Sequence, residues 1–203
     1  MTELIDHQKE LEALFQHYGN PLVSETVSVG SPTFWESQTN NRSREVCMVI
    51  LRANSRVLTF TKTFYPKGLY RLLTGGVEFH ESVLEALARE VYEETGLQMT
   101  PQRLLAVISY RAEHDQESVQ ASIRFTTFAF LFHQEEEGFP SVVDEQENLL
   151  GYGEVAIDDL CKIATELDAL PDIYCDQLGT TWKEWGQFRS VIHRTMYQAL
   201  TSL

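Results

Sequence analysis

The sequence predicts an α/β fold, one domain in which strand-like and helix-like segments alternate along the chain. Three observations carry this. Short apolar and β-branched runs stand at 23–29, 45–52, 56–62, 104–110, 123–132 and 154–157. Around them, apolar residues recur at helical spacing over 3–18, 83–95 and 181–200, and two acids open a further helix at 158–167. The length, 203 residues, suffices for one substantial core and is short for two domains.

The first helix places Leu4, Leu11, Leu14, Phe15 and Tyr18 near one side and stops at Gly19, Asn20 and Pro21, so it should pack on the body or on a second subunit. Residues 23–29 alternate as a strand and 37–44 read as a polar loop. Segments 45–52 and 56–62 read as a hairpin turning near Asn54 and Ser55. Further on, the polar run 113–120 separates two strands. In the second of these, Ile123 and Phe125 share one parity while Phe128, Phe130 and Phe132 share the other. That strand is therefore buried on both faces or interrupted by a bulge, and its aromatic stripe reads as core. The acidic stretch 134–148 reads as a loop. Asp158 and Asp159 then lie at the favourable end of a helix reaching about Leu167. In the last helix Trp185, Phe188, Ile192, Met196 and Leu200 form a stripe, Trp182 and Trp185 read as packing, and Arg189 and His193 as surface or subunit-contact residues. The expected organisation is an N-terminal helix (1–20), a core (21–170) and a C-terminal helical extension (171–203).

One stretch organises the rest: residues 75–97, GGVEFHESVLEALAREVYEETGL. Ser82 followed by Glu85 is a capping-box signature, and Gly96 supplies a left-handed stop, so a helix should run over 83–95. On it, Leu84, Leu87, Ala88 and Val91 form an apolar stripe, and Glu90, Glu93 and Glu94 gather beside it around Ala86. Like charges at these spacings repel by a few tenths of a kcal/mol each. A cation would offset that, and hard oxygen ligands suit magnesium or manganese. Arg89, four residues from both Glu85 and Glu93, is placed to orient the carboxylates. Gly75 and Gly76, in a loop over 73–81, let backbone approach a ligand or metal closely. Arg71, just before them, is a candidate phosphate contact. The plain alternative is a solvated acidic face.

The spacing, G-x5-E-x7-R-E-U-x-E-E-x-G-U with Val91 and Leu97 at the aliphatic positions, is filled throughout, and chance would match it on the order of once in a billion start positions. The stretch resembles the Nudix box of the MutT-like Nudix hydrolases. The resemblance implies an α/β/α sandwich with a mixed sheet and hydrolysis of nucleoside diphosphates linked to another moiety, with Mg2+, or Mn2+ as substitute. It further implies that Glu90, Glu93 and Glu94 are metal ligands or base, that Glu81 is an accessory acid, and that Gly75 offers its carbonyl to the metal. A further glutamate from the acidic loop is implied too, with Glu147 the first candidate and Glu145 the second. Many members read proline, glycine, glycine at the start of the box, where this chain has Leu73 and Thr74 before Gly75 and Gly76, and His80 replaces a common glycine.

Composition narrows the partners. A net charge of −14 argues against nucleic acid and acidic membranes, and sits badly with an anionic substrate unless a metal neutralises the site. No apolar run is long enough for a membrane span, the N-terminal residues lack a signal-peptide core, and three cysteines without metal spacing fit a reducing cytoplasm. The expected partner is a small nucleotide, with a homodimer as one arrangement. The alternative is a Nudix-like nucleotide-binding or regulatory domain without turnover. Every box residue has a metal, orienting, capping or core task on this reading, so substrate choice should come from outside the box.

Overall fold

The computed structural model describes residues 7–39, 42–113, 123–135, 139–141 and 148–203. Within them a seven-stranded mixed sheet runs in the order β1 (Val23–Ser28), β5 (Arg103–Arg111), β6 (Phe125–Gln134), β2 (Arg44–Arg52), β3 (Val57–Lys62) and β7 (Leu149–Val155). Off this path, β4 (Leu73–Gly76) pairs with the first half of β2. The β1–β5 and β2–β6 pairs are parallel and the others antiparallel.

The position of β6 explains its aromatic pattern. It is an inner strand between β5 and β2, and packed residues cover both of its faces. Phe128, Phe130 and Phe132 join Val46, Met48 and Ile50 in one core, while Phe125, Ala129 and Leu131 join Cys47 and Val49 in the other. The register shift occurs in the neighbouring strand, between Leu104 and Ala106. The first core is closed by α1 (His7–Tyr18) and α3 (Val83–Thr95), through Leu14, Val83, Ala86, Leu87 and Val91. The second is closed by α2 (Pro32–Gln38) and α5 (Trp182–Thr201), through Phe34, Trp35, Phe188, Ile192, Met196 and Leu200. Helices thus cover both faces of the sheet, an α/β/α sandwich. A short 3-10 turn (Ile157–Asp159) leads into α4 (Leu160–Asp168), whose Ile163 and Leu167 meet Trp185, Tyr65 and Leu69 in a smaller cluster. Among the described residues, no helix is long and apolar enough to cross a membrane.

Three features depart from the sequence reading. Helix α2 occupies a stretch left without an element, although Ser31 caps it by accepting from the Phe34 N–H at 3.1 Å and Pro32 begins it. The expected loop over 73–81 begins as a strand, because Leu73–Gly76 pairs with Glu45 to Met48 of β2. Arg189 and His193 are interior residues, since α5 lies against the sheet along its length. Buried polar groups need partners, and Nη1 of Arg189 and both ring nitrogens of His193 have them. Nη1 of Arg189 lies 2.9 and 2.8 Å from the two oxygens of Glu45, which also accepts from Thr127 Oγ1 at 2.8 Å. Nε2 of His193 accepts from the Leu72 N–H at 3.1 Å, leaving the proton on Nδ1 for the Arg189 carbonyl 2.8 Å away. The last helix thereby holds both β2 and the residue that begins the approach to β4.

Candidate active site

The α3 helix begins and ends as its sequence requires. Ser82 Oγ accepts from the Glu85 N–H at 3.3 Å, and Glu85 accepts from the Ser82 N–H at 2.9 Å and its hydroxyl at 2.7 Å. Gly96, at φ 70°, closes the helix by donating to the Tyr92 carbonyl at 2.7 Å. Its buried face, however, is turned from the one expected. Leu84 and Ala88 are exposed, and the interior row is Val83, Ala86, Leu87, Glu90, Val91 and Glu94. Two of the three box glutamates therefore stand within the packed face, Glu94 at 1% exposure, while the side chain of Glu93 keeps 30% at its edge.

Arg89 gathers the acids. Its Nε and Nη2 donate to Glu81 Oε1 and Oε2 at 2.8 and 2.9 Å, Nη2 also to the Gly76 carbonyl at 2.8 Å, and Nη1 to Glu90 and Glu93 at 2.9 Å each. All five guanidinium N–H groups are thus committed, a pattern only arginine can supply. Glu85 is held by Ser82 instead of by Arg89, contrary to the spacing argument. These carboxylate bonds, that to Glu81 foremost, hold Arg89 protonated well above its ordinary range. Burial pushes Glu81 up, but Arg89 and the Glu78 N–H outweigh it and hold this carboxyl below its usual range. Such a group is a weak base and a firm hydrogen-bond acceptor, which suits an orienting role.

The glycines have a steric task. A Cβ on Gly75 would overlap the carboxyl of Glu90, so glycine there is what lets the helix carboxylate rest against the strand. A Cβ on Gly76 would overlap Nη1 of Arg42. The two strand glycines, Arg89, Glu81, Glu90 and Glu93 are thus brought together, with Glu94 one turn beyond Glu90. Arg71 is not brought with them. It is 4% exposed, donating to the Tyr65 hydroxyl at 2.7 Å and to the Leu72 carbonyl and Thr74 Oγ1 at 2.8 Å each, with its guanidinium 4.4 Å from the Phe60 ring centroid. Its side chain braces the interior of the sheet, so the phosphate-contact reading is corrected. Glu145 and Glu147 lie outside the described residues.

Sequence reasoning passed over four residues. Glu10 of α1 accepts from the Val83 N–H at 2.6 Å and pairs with Arg44 at 2.6 Å, while Arg44 reaches the Glu81 carbonyl at 3.2 Å. A carboxylate at a helix start complements its dipole; no local pattern announces one arriving from 73 residues away. Arg42 and Phe79 line, with Gly76, Val77, Glu78, Arg89 and Glu90, a cavity of about 450 Å³ beside the acids. Phe79 is 75% exposed, so one box residue has neither a core nor a metal task.

Among the described residues no three His, Cys, Asp or Glu side chains are gathered as metal ligands. Glu90 and Glu93 instead share one nitrogen of Arg89. By chemistry the set still fits a hard divalent cation, because the donors are carboxylate oxygens and a glycine makes room for Glu90 at the backbone.

Fold and site together define an α/β/α protein in which one arginine fixes an acidic helix against a glycine-bearing strand. The family model described as NUDIX domain matches residues 41–175, two thirds of the chain. The chain belongs to the Nudix family; the family generally uses divalent cations. Among solved structures it is similar to a MutT protein from Methanosarcina mazei Go1, at 20% identity over 60% of this chain and 82% of that one, with a TM-score of 0.43. It is similar also to the E. coli dihydroneopterin triphosphate pyrophosphohydrolase, at 18% identity over 80% and 98%, TM-score 0.49. A third, an ADP-ribose pyrophosphatase from Streptococcus suis, matches at 18% identity over 77% and 90%, TM-score 0.44. Likenesses at this distance say nothing of substrate. No curated protein matches the chain.

Proposed function

We propose that the protein hydrolyses the diphosphate linkage of a nucleoside diphosphate derivative, with Mg2+, or Mn2+ in its place, as cofactor. The observation that supports this most is the convergence of Glu81, Glu90 and Glu93 on Arg89, with Glu90 seated against Gly75. Glu90, Glu93, Glu94 and the Gly75 carbonyl are the groups that would hold the metal. When bound, the ion supplies charge neutralisation for the diphosphate and a more acidic water.

The chain's own residues supply the rest. Arg89 and Glu81 fix the rotamers of the carboxylates, so little reorganisation accompanies binding. Glu90 and Glu94 are shielded by the packed face, which strengthens any electrostatic contact they make. Glu93 keeps the most exposure of the three, so of these carboxylates it is the one most open to an incoming substrate. The test is release of phosphate or nucleotide from a panel of nucleotide sugars, dinucleotides and nucleoside triphosphates with Mg2+ or Mn2+. One class should turn over, faster toward alkaline pH, and stop in excess chelator. Undiminished turnover in chelator would remove the metal mechanism, and binding without turnover across the panel would leave a regulatory domain.

A further inference from the structure

We propose that Arg42 anchors a substrate phosphate at the rim of the cleft, with Phe79 as the wall for the nucleobase; this rests on the diphosphate-hydrolase reading above. The cleft is lined by two guanidinium groups, those of Arg42 and Arg89. All five N–H groups of Arg89 are held by Glu81, Glu90, Glu93 and the Gly76 carbonyl, so it turns to a ligand only by releasing the set it organises. Among the described residues Arg42 has no such commitment. It is exposed, and among the described residues no carboxylate is ion-paired with it. Its guanidinium lies over Gly76 so closely that any side chain there would displace it. Glycine at 76 therefore serves two arginines: its carbonyl accepts from Arg89, and its missing side chain gives Arg42 its place.

Charge gives that position its meaning. The chain is net −14, and Glu78 and Glu90 line the same cleft, so an incoming anion meets repulsion. A cation among the glutamates relieves this at the bond to be cut. The substrate's other phosphate needs a fixed positive group of its own, and a planar guanidinium fork matches phosphate oxygens two at a time. In the same cleft, the exposed ring of Phe79 offers an apolar face of the kind on which bases stack.

The experiment compares wild type, Arg42→Ala, Arg42→Lys and Phe79→Ala. It measures steady-state kinetics on the best panel substrate and, separately, calorimetric binding of two non-hydrolysable probes with Mg2+, α,β-methylene-ADP and methylenediphosphonate. Loss of a charge-assisted phosphate contact should raise KM and the ADP analogue's Kd about tenfold or more in Arg42→Ala, with kcat changed by less than about threefold. Arg42→Lys should recover part of the affinity, and melting temperatures should not move, since the residue is exposed. Phe79→Ala should weaken the ADP analogue but not methylenediphosphonate, which has no base. If wild type turns over substrate while Arg42→Ala keeps its KM and Kd, the anchor is refuted and the hydrolase reading stands. If Phe79→Ala binds both probes as wild type does, the wall is refuted. A wild type that neither binds the ADP analogue nor turns over any panel member overturns the anchor and the hydrolase reading together.

Discussion

Glu85 and Glu94 are nine residues apart on one helix, and their surroundings assign them opposite tasks. Glu85 is exposed and closes the capping box with Ser82, whose hydrogen bonds hold its carboxyl below the ordinary range. Glu94 is packed inside, on the face it shares with Glu90. Glu85→Gln should lower the melting temperature slightly and leave most turnover. Glu94→Gln keeps shape and removes a charge required for cation binding, so turnover should fall by orders of magnitude. Its metal-free fold should be no less stable, because a buried carboxylate carries a desolvation penalty that the amide avoids. Melting without metal and turnover at saturating Mg2+ check both variants, and near-normal turnover of Glu94→Gln at every Mg2+ concentration would show that α3 is not the catalytic face. At this scale the Ser82–Glu85 capping box and the Gly96 stop were legible, because local spacing alone sets the helix and its caps. Arg71, Arg189 and His193 were misread, since sequence statistics put charged side chains at the surface, and what buries Arg189 and His193 are partners 144 and 121 residues away, Glu45 and Leu72.

Elements were legible where their own period declared them. Helix α3 spans the expected residues and five of the six expected strands lie within a few residues of their place, while β7 begins five residues before the run that announced it. Strand β4 was hidden because two glycines read as loop until a partner strand is known, and α2 because a seven-residue helix gives too short a pattern, despite its Ser31 and Pro32 signal. The face of α3 was misjudged for a different reason: hydropathy counts glutamate as outward, yet two of them complete the interior row with Val83, Ala86, Leu87 and Val91. Helix α5 offers a test at this scale. Burial, together with the charges of Arg71, Arg189 and Arg194, holds His193 down to about 3, against the pull of the Arg189 carbonyl. Above about pH 6.5 this histidine is neutral both folded and unfolded. As pH falls from there toward about 3, the unfolded chain takes up a proton that the folded one refuses, so stability is progressively lost. Between pH 7.5 and 5 the loss should be roughly 2 kcal/mol. His193→Gln can still accept from the Leu72 N–H and should show a shallower fall in denaturant midpoint over that range. Parallel pH curves for the two proteins would mean that His193 titrates normally.

The molecule as a whole is a sheet with two covers, and the two terminal helices contribute to them unequally. On one face α1 contributes a single fully packed side chain, Leu14, with Leu11, Phe15 and Tyr18 partly buried and Glu10 tied to Arg44 and the start of α3. On the other, α5 buries Trp185, Phe188, Ile192, Met196, Ala199 and Leu200 and supplies the Arg189 partner of Glu45. Removing a large buried side chain typically destabilises by about 2–5 kcal/mol, and leaving a buried charge without its partner by about 3–5 kcal/mol. The loss of α5 therefore exceeds the roughly 5–15 kcal/mol that holds a domain together, whereas the loss of α1 amounts to a fraction of it. A chain lacking residues 182–203 should fail to fold, although all of what it lacks lies beyond the stretch that matches the family, 41–175. A chain lacking residues 1–18 should fold with a lower denaturant midpoint, and its turnover should fall with the loosened start of α3. Cooperative unfolding transitions, followed by near-ultraviolet circular dichroism, separate the two cases. A cooperative transition in the chain without α5 would show that this helix is an accessory to the fold, and its absence in the chain without α1 would show that the ranking of the two terminal helices is reversed.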